Sequence, residues 1–174
     1  MAHGHQSNLA VCRCGETKIA LAGAPILSTS CYCHSCRTAG HGFERDLGAP
    51  QTVNADGGVD YCLYRKDRVT IVQGADRLQE YRLKPDSPTR RVVARCCGSP
   101  MFVDYTPGHW LTVFRSRLSG QAPRTQMRVM TKDRPEGVVF SDNVPAYDTM
   151  PPIFMIKLLV SWAAMGFRRP KISW

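Results

Sequence analysis

The chain has no apolar run long enough to cross a lipid bilayer. Its longest apolar stretch, residues 153–167, is interrupted by Lys157 and Ser161, whereas a transmembrane helix needs about twenty consecutive apolar residues. The opening segment, MAHGHQSNLAVCRCG, also lacks the apolar core of a secretory signal. We therefore expect a cytoplasmic protein without a membrane span.

Acidic residues and common catalytic motifs are also scarce. The chain has 14 Asp and Glu against 23 Lys and Arg, a net charge of +9, which favours anionic partners. No basic strip interleaved with aromatic residues is present, so nucleic acid is not the expected partner. The sequence contains no Gly-rich phosphate loop, no HExxH and no Ser-His-Asp order. With 174 residues and no repeat, it predicts about one domain.

Cysteine, in contrast, is abundant and clustered. Seven of the eight cysteines form three groups, which are Cys12 with Cys14, then Cys31, Cys33 and Cys36, then Cys96 with Cys97. In a reducing compartment, clustered thiols bind metal more often than they form disulfides. Side chains at i and i+2 of a strand share a face, so each CxC pair can offer two sulfurs to one ion. The isolated Cys62 is expected to be a small buried hydrophobe.

The middle group matches a catalytic zinc site better than a structural one. A structural zinc has four protein ligands, whereas a catalytic zinc keeps three and leaves one position open. Cys31, Cys33 and Cys36 supply three. His34 is a candidate proton donor or acceptor beside the metal, or else an exposed or hydrogen-bonded ring. Arg37 is a candidate partner for a substrate carboxylate, or for the zinc-bound sulfurs.

Short β-branched and aromatic segments separated by turns predict a mainly β fold. We expect a disordered or extended tail over residues 1–8, a zinc-binding β domain over 9–150, and a C-terminal helix and tail over 151–174. The stretch 39–58, rich in Gly, Ala and Asp, is predicted to be a loop that forms one wall of the middle cysteine site. The helix over residues 153–167 is expected to pack on the domain; an interfacial anchor and the cover of a homodimer interface are alternatives.

The order of the motifs CRCG, CYCHSCR and CCGSPMF resembles the glutathione-dependent formaldehyde-activating enzyme family, which is sometimes described with centromere protein V. The resemblance spans residues 9–118 and looks nearer to a bacterial branch of unknown function, with Cys-Cys in place of CxxC. It implies an Mss4-like β fold and two Zn2+ sites. Cys12, Cys14 and Cys97 match the family's structural site, and Cys31, Cys33 and Cys36 match its catalytic site.

One departure affects the structural site. The first cysteine of the family's late CxxC falls at Ala94, so Cys96 is the thiol that can replace it. Adjacent residues of a regular strand face opposite ways, and both Cys96 and Cys97 reach one ion only if the chain turns between them. Gly98 and Pro100 favour such a turn. We therefore expect Cys12, Cys14, Cys96 and Cys97 to be the four ligands of this site. A three-cysteine site with an outside ligand, or no metal at this site, are the alternatives.

The resemblance implies a carbon–sulfur lyase that acts on glutathione or another thiol adduct, because the family's namesake reaction joins formaldehyde to glutathione. We therefore expect a small thiol partner and one or two zinc ions per chain. The alternative is a zinc-stabilised β module that binds a partner and catalyses no reaction, since fold and function separate readily.

Overall fold

The computed structural model describes residues 7–174, so most of the predicted tail at residues 1–8 lies outside the described part of the chain. The strands are β1 Ser7–Val11, β2 Lys18–Ala22, β3 Leu27–Cys31, β4 Val59–Arg65, β5 Val69–Gln73, β6 Leu78–Tyr81, β7 Thr89–Ala94, β8 Ser99–Tyr105, β9 Trp110–Phe114 and β10 Met127–Val129. The helices are α1 His34–Leu47 and α2 Pro152–Ala163. The predicted mainly β fold with a C-terminal helix is confirmed, while the predicted domain bounds stay a prediction.

The strands form a large sheet and a small one. The large sheet has seven strands in the order β10-β3-β4-β9-β8-β7-β6, and the small sheet has three in the order β1-β2-β5. Neighbouring strands are antiparallel except β10 and β3, which are parallel. The tight β1–β2 hairpin carries the CRCG motif in its turn.

The large sheet is buried on both faces. Along β4, Tyr61 and Leu63 belong to one core cluster, together with Phe43 of α1 and Phe154 of α2. Their neighbours Cys62 and Tyr64 belong to a second cluster, which includes Ile19 and Leu21 of the small sheet. Because successive side chains of a strand point to opposite faces, the helices cover one face and the small sheet covers the other. Cys62 is fully buried, as expected.

The first helix corrects the predicted loop. Residues 39–47 are part of α1, and only residues 48–58 connect it irregularly to β4. Glycine disfavours helices intrinsically, but here tertiary packing overrides that preference. A Cβ on Gly40 would lie 2.5 Å from Cγ2 of Val53, so the helix approaches this connection more closely than a larger residue allows. Buried Ala39 and Phe43 fix the same helix face on the core.

The second helix is slightly shorter than the predicted 153–167. Phe154 and Leu158 are buried in the core, and His109 and Ser161 share a 2.8 Å hydrogen bond. Large apolar side chains on the other side are exposed, namely Ile153, Met155, Ile156, Leu159 and Val160. The predicted homodimer interface stays a prediction. Within residues 7–174, neither helix has the length and apolar character that crossing a membrane requires.

Candidate metal centres

The CRCG motif places two sulfurs at the tip of the β1–β2 hairpin. Cys12 follows β1 directly, and its sulfur accepts a hydrogen bond from the Thr17 amide at 3.2 Å. Gly15 has φ +82° and donates its amide to the Cys12 carbonyl at 3.0 Å, which closes the turn. This tight turn brings the exposed Cys14 back beside the buried Cys12, with 3.5 Å between their sulfurs.

The turn between β7 and β8 brings the second pair of sulfurs to the same place. The Cys97 amide donates to the Ala94 carbonyl at 3.2 Å, and Gly98 has φ +69°. The predicted turn therefore exists, and both adjacent cysteines face the hairpin. A Cβ on Gly98 would lie 2.1 Å from the Leu47 carbonyl oxygen at the end of α1, so this position has room only for glycine.

Four sulfurs converge between the two sheets. Those of Cys12, Cys14, Cys96 and Cys97 all lie within 4.8 Å of one another. The Cys96 sulfur is 3.3 Å from Cys14, 3.8 Å from Cys12 and 3.9 Å from Cys97. Tetrahedral zinc with bonds of about 2.3 Å separates its sulfurs by about 3.8 Å. The group therefore fits a metal ion. Cys96 supplies the fourth sulfur, which in the family comes from a cysteine at the position of Ala94.

Negative charge is shared unequally among these four thiols. Burial raises the pKa of Cys97, but hydrogen bonds from the Ser99 hydroxyl and from the Cys14 and Ser99 amides outweigh burial and lower the pKa to about 6. Burial and the hydrogen bonds with Cys14 and Cys12 raise the pKa of Cys96 to about 12. A bound cation favours the thiolate form of every ligand. Metal binding would therefore deprotonate Cys96 as well as Cys97.

The middle group forms where β3 passes into α1, on the helix-covered face of the large sheet. Cys31 ends β3, Cys33 precedes the first helical residue, and Cys36 lies in the first turn of α1. The three sulfurs lie within 4.8 Å of one another. The Cys33 sulfur accepts the Cys36 amide at 3.4 Å, and a helix N-terminus stabilises thiolates. Among residues 7–174, no fourth Cys, His, Asp or Glu completes this group.

A single thiolate dominates the middle group as well. Hydrogen bonds from Cys31 and Cys36 lower the pKa of Cys33 to about 2, despite burial. The hydrogen bonds with Cys33 and Cys36, together with burial, raise the pKa of Cys31 far above its ordinary range. Three converging soft donors fit zinc, which accepts sulfur ligands with one position open.

Two residues beside this group were not predicted as site residues. Tyr61 of β4 is buried, and burial raises its pKa well above the ordinary value, with the neighbouring Cys36 thiol adding to the shift. Arg91 of β7 is also buried; its Nη2 donates to the Ser35 carbonyl at 3.4 Å, and its Nε has no partner among the described residues. For Arg91, the sequence did contain one signal, the alternation of side chains along β7. It places Arg91 on the same face as Val93, which belongs to the core cluster that contains Cys31.

The predicted polar residues of the CYCHSCR motif, His34 and Arg37, make no hydrogen bond to the sulfurs among residues 7–174. His34 is exposed at the start of α1. Arg37 donates from Nη1 to the Asp133 carbonyl at 2.6 Å, which ties α1 to the segment after β10. His41, further along α1, is exposed and lies 3.4 Å from Glu44. The roles proposed for His34 and Arg37 stay predictions.

An apolar cavity adjoins the middle group. It has a volume of about 180 Å³ and is lined by Cys31, Cys36 and Tyr61, by two threonines and by apolar side chains. The predicted wall made by residues 39–58 is not among its lining residues, which come from the large sheet, the first turn of α1, α2 and the segment before α2. Two of the three cysteines therefore border a space that a small organic group can enter.

Comparison with known proteins agrees with the site. The model of the glutathione-dependent formaldehyde-activating enzyme family matches residues 8–131, well over half of the chain, and the chain therefore belongs to this family. The described architecture is consistent with the Mss4-like fold that the resemblance implied. A crystal structure of a Rhodobacter sphaeroides protein is similar over 67% of this chain and 92% of that one, with 20% identity and a TM-score of 0.44. No curated protein matches the chain.

Proposed function

We propose that the protein binds zinc at both thiol groups and acts as a carbon–sulfur lyase on the adduct of an aldehyde with glutathione or a similar small thiol. The observation that carries the proposal is the contrast between the two groups. One group consists of four sulfurs, whereas the middle group consists of three and adjoins a cavity. An ion with three protein ligands keeps a position for substrate, as catalytic zinc does.

The reaction is a reversible addition. In the direction of synthesis, the thiol sulfur bonds to the aldehyde carbon, the carbonyl π bond breaks, and the thiol proton ends on the new hydroxyl oxygen. When bound, zinc supplies a Lewis acid for the reacting sulfur or oxygen. Cleavage of the adduct is the same set of bond changes in reverse.

Residues of the chain orient and stabilise this chemistry. The raised pKa of Tyr61 keeps its hydroxyl protonated beside Cys36, so it is a hydrogen-bond donor in the wall of the cavity. Arg91 adds a buried positive charge near three thiolates whose summed charge exceeds that of Zn2+. The apolar walls limit the access of water to the reacting atoms.

The surroundings suit a small anionic thiol. Glutathione carries two carboxylates, which the net charge of +9 favours, and a reducing cytoplasm supplies such thiols and keeps the cysteines free. The exposed His34 and the Arg37 guanidinium lie on the first turn of α1, beside the sulfurs. We include them in the proposal as candidates for contact with the polar part of the thiol.

Exchange NMR on a mixture of formaldehyde and glutathione tests the function. We expect the zinc-loaded protein to accelerate interconversion of free thiol and S-hydroxymethyl adduct. Cys36→Ser should abolish the acceleration, because it removes one of three ligands, while Cys62→Ser, a buried cysteine outside both groups, should retain it. An unchanged exchange rate with both sites loaded, for this aldehyde and for larger ones, would leave the non-catalytic zinc module as the better account.

A further inference from the structure

The cavity beside the middle group is built by one face of five neighbouring strands. Thr29, Leu63, Val103, Thr112 and Val129 come from β3, β4, β8, β9 and β10, which are adjacent in the large sheet. Phe154 of α2 closes it from the other side. Apart from the two cysteines, none of its lining residues carries a charge, and the Thr29 hydroxyl is already donated to the Met127 carbonyl at 2.9 Å.

Away from Tyr61 and the cysteines, such a space favours carbon chains over charged groups. Leu63, Val129 and Phe154 are almost completely buried and offer no hydrogen bonds. Burying a carboxylate there without a partner is strongly unfavourable, so the charged parts of a thiol such as glutathione must stay outside. Met150, another lining residue, is partly exposed to solvent.

The volume sets the size of the occupant. At about 180 Å³, the cavity is comparable to an apolar protein cavity of about 150 Å³ that takes up benzene. A formaldehyde-derived carbon has only hydrogen as its substituent and would leave this space unused. A phenyl ring or a chain of roughly five to seven carbons would occupy it.

We propose that the carbon half of the preferred thiol adduct bears an apolar substituent that fills this cavity, so that thiol adducts of hydrophobic aldehydes bind and react better than those of formaldehyde. This inference rests on the proposed function for the reaction, but the binding preference can be measured separately. The sulfur of the adduct lies at Cys31, Cys33 and Cys36, its substituent lies against Leu63 and Phe154, and its polar thiol part remains at the opening.

S-alkylglutathiones are the probes, because they carry a carbon chain on sulfur and cannot react. We expect calorimetric titration of the zinc-loaded protein to show S-hexylglutathione binding on the order of 100-fold tighter than S-methylglutathione, since each buried methylene is worth up to about fourfold in affinity. Val103→Phe and Thr112→Leu each fill part of the cavity from half-buried positions. Both should reduce the difference to below about threefold. Val72→Phe, on an exposed position of β5, is the matched control and should keep it.

The parallel rate measurement separates this inference from the proposed function. Faster exchange with hexanal or benzaldehyde than with formaldehyde, lost in Val103→Phe, would support both. Equal binding of the two S-alkylglutathiones, or a preference that survives both cavity variants, would overturn the inference even if formaldehyde is turned over. A clear S-hexyl preference without turnover of any aldehyde would overturn the proposed reaction and support the cavity as a site for an apolar chain.

Discussion

At the scale of single residues, the middle group depends on a buried positive charge that belongs to no sequence motif. Arg91 is 5% exposed and donates to the carbonyl of Ser35, which lies between Cys33 and Cys36 in the chain. Three thiolates on one Zn2+ leave a net negative charge in an apolar environment, which is unfavourable unless a cation lies near it. We infer that Arg91 stabilises the metal-loaded form.

Arg91→Met should therefore weaken zinc binding at the middle group by about 10- to 100-fold, the usual effect of losing a group that supports metal ligands. Arg91→Lys should restore part of the loss because it keeps the charge. Competition with a chromophoric chelator measures both sites in one titration, and the four-cysteine site is the internal control. Equal weakening of both sites would indicate general destabilisation and contradict the specific role.

His109 gives a prediction for pH. Burial lowers the pKa of its imidazole, so the folded protein takes up this proton at a lower pH than the unfolded chain does. The unfolded imidazole titrates near pH 6.5, so the contribution to stability is complete above that pH and is lost as the pH falls below it. The urea midpoint of the wild type should drop more between pH 7 and pH 5.5 than that of His109→Gln. Parallel pH profiles would contradict this assignment.

At the scale of elements, the CxCG turn between β1 and β2 and the CCG turn between β7 and β8 look alike in sequence but differ in their surroundings. Gly15 and Gly98 both have positive φ, which costs other residues about 1–2 kcal/mol. A Cβ on Gly15 meets nothing within 4 Å, whereas one on Gly98 would meet the backbone of α1. The late turn is therefore fixed by the helix as well as by its own conformation.

Gly15→Ala should cost about 1 kcal/mol of unfolding free energy in the zinc-loaded protein. Gly98→Ala should cost about 3 kcal/mol, because the turn must shift away from Leu47 and carry Cys96 and Cys97 with it. Urea unfolding monitored by circular dichroism measures both variants. Similar losses for the two would show that the contact with α1 is unimportant.

The helix α2 offers another matched pair. Leu158 is 4% exposed and its neighbour Leu159 is 55% exposed. Leu158→Ala should destabilise the protein by about 2–3 kcal/mol, since it leaves a cavity in the core. Leu159→Ala should change stability by less than about 0.5 kcal/mol. If the two variants unfold at the same urea concentration, α2 is not packed on the sheet as described.

At the scale of the whole molecule, the large sheet separates the two thiol groups onto opposite faces. The sequence predicted both groups because cysteine spacing is a local signal, and it predicted the mainly β fold because short segments of β-branched and aromatic residues are local too. It did not predict residues 39–47 as helix, because that segment is stabilised by packing against residues outside it, such as Val53 beside Gly40. The cavity, Tyr61 and Arg91 depend on the alignment of several strands, and their roles become apparent only when the sheet is assembled.

The central claim is that distant cysteines bind two metal ions on the two sides of this sheet. Metal analysis with X-ray absorption on reduced, purified protein tests it most directly. We expect two zinc ions per chain with Zn–S distances of about 2.3 Å. Cys96→Ser should lower the content through the four-sulfur site, Cys36→Ser should lower it through the three-sulfur site, and Cys62→Ser should retain two ions. A folded wild-type protein that retains no zinc, or a Cys36→Ser variant that still binds two ions as tightly as the wild type, would contradict the account.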